Sequence, residues 1–303
     1  MEKQTFNVGG IAVTAFSTPG VLSSSSPTAG NSNDSGVVVL FLLHGRTGSA
    51  AQFDPVAEDA VRYAAQKKME KGGEGQRDLV VITFDHRNHG SRTVSARANQ
   101  AWSKDADAHN ERHAVDMYSI QTGTARDVSF LIDFLPAYLF PNDERAVREW
   151  VVAGVSLGGH STWLVLKDDP RVRIGVPVIG CPDYLTLIQL RADSALGLPL
   201  GPPYMPASLR AHIARADPSS GASAVSGASN PFFGKRILVL SGAEDGLVPW
   251  TASGAFVEGL EVGAEGRKEV MLMEGVGHEF TEGMRGELWR FVWEEALSVR
   301  QTQ

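Results

Sequence analysis

Short apolar runs alternate with segments of helical periodicity along most of this 303-residue sequence. The first is VVVLFLL at 37–43, and a continuous run of this kind is typical of a strand covered on both faces of its sheet. The other runs lie at 78–84, 150–155, 173–180, 236–242 and 269–274. The segments between several of them have helical spacing. The sequence therefore predicts an α/β fold, with an open and mostly parallel sheet between two layers of helices.

Two more strands are predicted before the alternation begins. The segment KQTFNVGGIAVTAFSTP contains two short strands around Gly9 and Gly10, which is a hairpin signal. A stretch rich in Ser, Gly, Pro and Asn follows at about 18–36, and we expect a flexible loop there. Helices are expected near 50–68, 119–139, 157–167, 251–260 and 280–298.

The alternation is interrupted once, between 182 and about 232. This stretch contains several prolines, short helical pieces and the low-complexity segment SSGASAVSGASN. It falls between two strands of the predicted sheet. We therefore expect a single domain over residues 1–303, with a small cap inserted at this point.

Composition excludes several classes of protein. The net charge is -7 and no block of Lys or Arg stands out, so a nucleic-acid partner is not expected. A single cysteine, Cys181, excludes an internal disulfide and favours a reducing compartment. The opening MEKQTFNVGG lacks the apolar core of a secretory signal, and no run reaches the roughly 18 apolar residues that span a bilayer. We expect a cytoplasmic protein with no membrane span.

The segment GVSLG at 154–158 has a chemically specific setting. A predicted strand precedes Ser156 and a predicted helix follows it, as in the G-x-S-x-G nucleophile elbow. A serine on so sharp a turn needs small neighbours, and Gly154 and Gly158 remove the side chains that would clash where strand and helix meet. The helix start also directs N–H groups at charge that forms near the serine oxygen. Ser156 is the predicted nucleophile.

With these features the chain resembles the α/β-hydrolase superfamily over nearly its whole length. Within it, the chain is similar to single-domain esterase and peptidase-like members with a modest cap. The resemblance implies a mostly parallel eight-stranded sheet and a serine hydrolase without a cofactor. It also implies that the triad residues follow one another as Ser, then Asp or Glu, then His.

Two backbone N–H groups are needed to stabilise the oxyanion of a tetrahedral intermediate. The elbow supplies the N–H of Leu157. The segment LLHGRTGS at 42–49 resembles the oxyanion loop of the superfamily, and the resemblance assigns the second donor to Arg46, with Thr47 as the near alternative. His44 is expected to brace this loop. The Arg46 side chain either faces solvent or reaches a carboxylate on the substrate.

The acid and the base come from two later segments, each just after a strand. In LSGAEDGLVPW, Glu244 and Asp245 compete, and the superfamily pattern favours Asp245. In MEGVGHEF, His278 is the expected base because its order and its Gly-rich setting both agree with the superfamily. His160 is the rival base. It lies on the helix that runs back from the elbow, so we expect it to pack or hydrogen-bond away from the reacting carbonyl.

Four further histidines have spacings that can bind a metal. His86 and His89 lie in FDHRNHGSR, whose Asp, Arg and Gly match a structural D-x-R-x-x-G turn of related hydrolases. His109 and His113 lie in a polar loop with no further ligands in register. We predict no metal site. Instead, we expect a hydrogen-bond network that fastens the excursion at 91–118. Its members are Asn88, Asn99, Trp102 and Asp116. These residues could also line one wall of the pocket.

Apolar and aromatic side chains of the predicted cap are candidates for the substrate pocket. Those chosen for substrate contact are Tyr184, Tyr204 and Met205, together with Trp250 after the acid segment. Leu185, Leu187, Ile188 and Leu198 share the same apolar character. The alternative is that these side chains only seal the cap onto the body.

These features predict a serine hydrolase that cleaves carboxylic esters through an acyl-enzyme, with a small or medium acyl group of apolar character. The same residues would serve thioesters, lactones, amides or short peptides. A ligand-binding homologue without hydrolase activity is the alternative from another class, and a carbon–carbon or cyanohydrin lyase is a further one. Serine at the elbow excludes the related dehalogenases and epoxide hydrolases, which carry Asp there. The physiological substrate, its leaving group and the oligomeric state are not indicated.

Overall fold

The computed structural model describes residues 1–23, 36–72, 76–195, 197 and 199–298. Eight strands form one sheet in the order β1-β2-β4-β3-β5-β6-β7-β8. Their bounds are β1 (Glu2–Val8), β2 (Ile11–Ser17), β3 (Val37–Leu43), β4 (Asp78–Phe84), β5 (Val147–Val155), β6 (Val172–Val178), β7 (Arg236–Gly242) and β8 (Arg267–Met273). β1 and β2 pair antiparallel and β2 is antiparallel to β4, whereas all later neighbours are parallel. The predicted mostly parallel sheet is confirmed.

Helices cover both faces of the sheet. They are α1 (Asp54–Glu70), α2 (His113–Leu139), α3 (Leu157–Asp168), α4 (Tyr184–Ala195), α5 (Ala207–Ala216), α6 (Gly254–Gly259) and α7 (Glu282–Val292). Side chains along β3 alternate between two cores. Val39 and Phe41 pack with residues of α2 and α3, and Leu40 and Leu42 pack with residues of α1 and α7. This alternation explains why the run at 37–43 is apolar throughout.

The hairpin at the start of the chain has the predicted turn. Gly9 and Gly10 have φ of 56° and 88°, the left-handed conformation that both central residues of a two-residue turn require. A Cβ on Gly9 would also lie 2.5 Å from the ring of Phe130 on α2. Most of the loop expected at 18–36 falls outside the described residues.

Helix α2 begins earlier than the sequence predicted, at His113 rather than near 119. The placement of His113 in a polar loop was therefore wrong. The first turns of the helix bury Ala114, Met117 and Tyr118, which pack in one cluster with residues of α4 and α5. This contact with a segment distant in sequence stabilises turns that local periodicity does not reveal.

The segment between β6 and β7 forms α4, α5 and a short 3₁₀ turn. Its apolar side chains pack against Leu157 at the beginning of α3, next to the elbow. Leu198, which the sequence placed in this apolar set, lies outside the described residues. That the segment acts as a cap stays a prediction. No helix in the described ranges is long and apolar enough to cross a membrane.

The loops that follow β3, β4, β5, β7 and β8 all leave the sheet at its carboxyl edge. In open α/β sheets, groups that act on ligands collect at this edge. The predicted nucleophile, acid and base belong to the loops after β5, β7 and β8. The fold thus brings together residues from distant parts of the chain.

Candidate active site

Ser156 sits on a strained turn between β5 and α3. Its φ and ψ are 56° and -110°, a conformation that non-glycine residues seldom adopt. Its N–H donates to the carbonyl of Val178 at 2.9 Å, and its own carbonyl accepts the N–H of His160 at 2.9 Å. These bonds to β6 and to the first turn of α3 hold the backbone, so that the side chain projects from the strand end.

Glycines around Ser156 allow backbone segments to approach closely. A Cβ on Gly154 would lie 2.3 Å from the carbonyl oxygen of Gly158, and a Cβ on Gly158 would lie 2.4 Å from the carbonyl oxygen of Leu43. Both distances are shorter than any side chain could tolerate, and the obstacles are backbone atoms that cannot swing away. The glycine requirement predicted for the elbow is therefore a requirement for contact between α3, β5 and β3.

Three of the predicted site residues form one hydrogen-bonded chain. The Oγ of Ser156 lies 2.8 Å from Nε2 of His278, and Nδ1 of His278 lies 2.7 Å from Oδ2 of Asp245. The His278 side chain is 22% exposed and the Asp245 side chain is fully buried. The imidazole therefore reaches the cavity, while its carboxylate partner is shielded from water.

Backbone donors hold the Asp245 carboxylate in place. Its Oδ1 accepts the N–H groups of Leu247 at 2.9 Å and Val248 at 2.8 Å. Burial alone would raise the pKa of Asp245, but the hydrogen bond with His278 and these two N–H groups lower it below its ordinary value. Glu244, the rival acid, is exposed to solvent. The arrangement keeps an ionised carboxylate beside His278.

The loop after β3 is braced by His44, as the sequence predicted. Nε2 of His44 accepts the backbone N–H of His86 at 3.1 Å, so its Nδ1 carries the proton and donates to the carbonyl of Gly45 at 2.8 Å. Its ring stacks on that of His86, with centroids 3.9 Å apart. Burial lowers the pKa of His44 to about 4, so the ring is neutral at neutral pH. Thr47 turns the loop with a φ of 65°.

A cavity of about 370 Å³ opens beside Ser156. Its walls come from the β3 loop, the elbow and the β8 loop: Gly45, Arg46, Thr47, Gly48, Gln52, Phe53, Val155, Ser156, Ile179, His278 and Phe280. The Arg46 side chain does not simply face solvent, because its Nη1 donates to the carbonyl of Asn99 at 2.7 Å. A larger cavity of about 580 Å³ between α1 and the beginning of β4 shares no residue with this site.

His160 lies away from the Ser156 hydroxyl. It is 2% exposed, and its Nδ1 accepts the N–H of Cys181 at 2.8 Å. Burial first, and then the charge of Arg191, lower its pKa to about 3. Its Nε2 is buried with no partner among the described residues. The structure thus pairs His278, and not His160, with Ser156.

The histidines after β4 belong to a structural turn. Both oxygens of the Asp85 carboxylate accept backbone N–H groups, one from Ala50 at 2.8 Å and one from Ser91 at 2.7 Å. Arg87 forms a forked ion pair with Asp127 on α2. In the described parts of the chain, no group of three or more His, Cys, Asp or Glu could hold a metal. These contacts match the D-x-R-x-x-G interpretation.

A network of side-chain hydrogen bonds ties down the excursion at 91–118. Asn88 donates to the side chain of Asn99 at 2.8 Å, and Asn110 donates to the carboxylate of Asp116 at 3.0 Å. The indole of Trp102 donates to a backbone carbonyl of the same excursion at 3.2 Å. The excursion reaches the cavity through the carbonyl of Asn99, which holds Arg46.

None of the four side chains predicted to contact substrate is part of the cavity wall at Ser156. Tyr184 and Met205 are 2% and 1% exposed, and the Tyr184 hydroxyl donates to the carbonyl of Ala114 at 2.6 Å. The ring of Tyr204 packs edge-on against Trp102, 6.1 Å away. Trp250 packs against the core on the α2–α3 side of the sheet. In this arrangement Tyr184, Tyr204 and Met205 pack the α4–α5 segment onto the body, as in the alternative interpretation, and the substrate contacts proposed for the four side chains stay a prediction.

Two charged residues that the fold covers wholly or in part were not predicted. Arg191 on α4 donates to the carbonyl of Leu247, in the Asp245 loop, at 3.1 Å. Asp217 is 2% exposed, and its carboxylate accepts the N–H of Tyr184 at 2.9 Å. A polar residue within an apolar helix pattern was the available signal for Arg191. No local pattern distinguishes Asp217 from a surface loop residue.

Comparison with solved structures identifies the fold. The chain is similar to TT1662 from Thermus thermophilus, with 20% identity, a TM-score of 0.62 and coverage of 98% of this chain and 100% of that chain. It is similar to Est1E from Butyrivibrio proteoclasticus with bound ferulic acid, with 14% identity, a TM-score of 0.54 and coverage of 96% and 98%. It is also similar to the acylaminoacyl peptidase from Pyrococcus horikoshii, with 14% identity, a TM-score of 0.60 and coverage of 100% of this chain and 43% of that chain.

The protein has the α/β-hydrolase fold, as the motifs and the sheet order indicate. The sequence matches no protein-family model, and the curated proteins give no match. At these identities the likeness establishes the fold alone. The chemistry therefore has to be argued from the site itself.

Proposed function

We propose that this protein is a serine hydrolase that cleaves carboxylic esters through an acyl-enzyme. The hydrogen-bonded chain from Asp245 through His278 to Ser156 supports this proposal most strongly. Its nucleophile-to-base and base-to-acid distances of 2.8 Å and 2.7 Å are those that proton transfer needs. A homologue that only binds a ligand has no need for these three hydrogen-bonded side chains.

In the proposed reaction, the Ser156 oxygen attacks the ester carbonyl and His278 takes the hydroxyl proton. Asp245 orients the ring and stabilises the imidazolium that forms. The N–H groups of Leu157 and Arg46 then stabilise the oxyanion. Leu157 is the first residue of α3, where N–H groups have no acceptor within the helix. His278 returns the proton to the leaving alcohol, and water releases the acid by the same steps.

Esters are proposed ahead of amides because the esterases among the similar structures match this chain over more of their own length. Est1E matches over 98% of its length, and acetyl xylan esterase 1 from Thermoanaerobacterium over 78%. The acylaminoacyl peptidase matches over only 43% of its length. Hydrolysis of an amide or short peptide is the second candidate, because the acylaminoacyl peptidase is among the similar structures. Thioesters and lactones would use the same groups.

The test is turnover of a panel of p-nitrophenyl acyl esters, lactones and aminoacyl p-nitroanilides, ranked by kcat/KM. The proposal expects the esters to rank first, with a burst of p-nitrophenol equal to one per active site wherever deacylation is slow. Ser156→Ala should abolish turnover of every substrate. Ranking of the anilides above the esters would favour the peptidase candidate. Absence of turnover across the panel would favour a ligand-binding homologue.

A further inference from the structure

Two arginines, one at the cavity wall and one beside the Asp245 loop, have no acidic partner among the described residues. Arg46 lines the cavity that contains Ser156 and His278, and its described hydrogen bond goes to a backbone carbonyl. Arg191, on α4, donates to the carbonyl of Leu247 in the loop that carries Asp245. Among the residues that the structure describes, neither guanidinium forms an ion pair with a carboxylate. Both side chains are partly buried, and a partly buried cation without a counter-charge is less stable than a paired one, so the positions of the two arginines call for an explanation.

The neutral contacts of Arg191 leave its charge uncompensated. Its Nε and Nη2 donate to the carbonyl of Leu247 at 3.3 and 3.1 Å, and its Nη1 lies 2.9 Å from the sulfur of Met117. A thioether is a weak acceptor, so the bond with Met117 contributes little. Among the other partly buried arginines, Arg92 and Arg236 each form an ion pair with a carboxylate, whereas the described hydrogen bond of Arg77 also goes to a backbone carbonyl.

The surrounding charges do not neutralise the pair. Asp245 is within electrostatic range of Arg191, but His278 and two backbone N–H groups already occupy its oxygens. Burial lowers the pKa of the Arg191 guanidinium, and the positive charge of Arg46 lowers it further. A guanidinium remains protonated at neutral pH in spite of such a shift. The positive charge of Arg46 therefore lies at the cavity wall, and that of Arg191 lies beside the loop that carries Asp245.

The nearby histidines His113 and His160 do not offset the positive charge of the arginines, because an imidazole is either neutral or positive. Burial, and then the charges of Arg191 and Arg46, lower the pKa of His113 to about 3. The unpartnered Nε2 of His160 is a further polar atom in the range of Arg191. Because Nδ1 of His160 accepts from Cys181, this Nε2 carries a proton and is a free donor. The region thus offers a buried donor and positive charge, and its described carboxylate, that of Asp245, is already bonded to His278 and to backbone N–H groups.

We propose that Arg46 and Arg191 bind a carboxylate carried by the substrate, so that the natural substrates are esters of anionic rather than purely apolar compounds. This inference rests on the proposed hydrolase function and specifies its substrate class. Guanidinium groups present paired N–H donors that match the two oxygens of a carboxylate. Apolar acyl groups, which the sequence favoured, would leave both cations without a partner.

The test compares esters with their neutral amide isosteres, which have the same size and differ in charge. Monomethyl glutarate against methyl glutaramate places the carboxylate on the acyl side. 4-Acetoxybenzoate against 4-acetoxybenzamide places it on the leaving group. We expect the anionic member of at least one pair to have a kcat/KM at least about tenfold higher. The pair that shows the preference locates the carboxylate.

Variants tie the preference to the two arginines. Arg191→Met and Arg46→Met should each bring the anion-to-amide ratio of kcat/KM close to one, whatever happens to the absolute rates. Arg210→Met on α5 removes the same charge from a side chain whose described hydrogen bond goes to the carbonyl of Leu200, and it should leave the ratio unchanged. Thermal denaturation checks that each variant is folded. If one arginine variant fails to fold, competitive inhibition of p-nitrophenyl acetate turnover by glutarate, and not by glutaramide, carries the test in the unaltered protein.

The outcomes distinguish failure of the carboxylate proposal from failure of the hydrolase proposal on which it rests. If p-nitrophenyl acetate is hydrolysed and both isostere pairs give ratios near one, the carboxylate proposal is overturned and the hydrolase proposal stands. The same holds if a preference exists but survives in both arginine variants. If Ser156 does not react at all, the hydrolase proposal fails and this inference fails with it.

Discussion

Ser156 Oγ and His278 Nε2 lie 2.8 Å apart although 122 positions separate them in the sequence. His160, only four positions from the serine, turns instead toward the backbone of Cys181. The elbow raises the serine above the strand ends, whereas α3 carries His160 back along the sheet. Proximity in sequence and proximity in the site therefore disagree.

The two histidines should respond differently to substitution. His278→Ala should lower kcat for p-nitrophenyl acetate by about 10⁴-fold or more, because the general base is lost. His160→Gln keeps an acceptor for the Cys181 N–H, so kcat should change by less than about tenfold. Steady-state kinetics on both variants is the check. Loss of turnover in His160→Gln with retention in His278→Ala would reverse the assignment.

Asp245 and Glu244 are a matched pair of neighbouring acids. Asp245→Asn should lower kcat by about 10³- to 10⁴-fold, because the imidazole loses its orienting carboxylate. Glu244→Gln, on an exposed side chain, should have little effect. A larger loss in Glu244→Gln than in Asp245→Asn would contradict the acid assignment.

The lowered pKa of Asp245 also predicts a pH dependence of stability. A carboxyl group whose folded-state pKa is depressed stabilises the protein above its unfolded pKa of about 3.9, and that contribution is lost as pH falls through the folded value. The destabilisation caused by Asp245→Asn should therefore be larger at pH 7 than in acid. Thermal melts of both proteins across this range measure it, and a constant difference would contradict it.

Asp217 should show the opposite sign. Burial raises its pKa to about 7, so between about 3.9 and 7 the folded state holds a proton that the unfolded state releases. Its favourable contribution is present below the unfolded pKa and is lost as pH rises through the folded value. The melting temperature of Asp217→Asn minus that of the unaltered protein should increase from pH 4 to pH 8. A difference that decreases over this range would show that the buried carboxyl is ionised throughout.

Gly158 provides a test of the elbow packing that is independent of catalysis. Gly158→Ala places a Cβ 2.4 Å from the Leu43 carbonyl oxygen and should cost about 2–4 kcal/mol of unfolding free energy. Gly286→Ala, in α7 with no atom within 4 Å of its new Cβ, should stabilise by about 0.5–1 kcal/mol. Urea denaturation compares them, and equal effects would contradict the contact between α3 and β3.

Most elements of the fold could be predicted from the sequence, because the patterns that indicate them depend on neighbouring residues. The apolar run at 37–43 and the Gly9–Gly10 turn depend on neighbouring residues, and both elements form where predicted. The setting of Ser156 was recognisable for the same reason. Helix α2 was misjudged at its beginning, since its first turns are stabilised by burial against α4 and α5.

Side chains that depend on distant partners were harder to predict. Tyr184 is an aromatic residue of the kind that lines pockets. Its hydroxyl instead donates to the carbonyl of Ala114, on a helix 70 positions away in the sequence. Arg191 becomes notable only when the Asp245 loop and Arg46 lie near it in the folded chain. Periodicity reports which face of a helix is covered. It does not report which segment covers it.

The identity of Ser156 as the nucleophile is the central claim, and covalent labelling tests it most directly. The folded protein, incubated with a fluorophosphonate, should gain the mass of one label, and peptide mapping should place it on Ser156. Ser156→Ala should gain none under the same conditions. An unlabelled folded protein, or a label that persists in Ser156→Ala, would contradict the account.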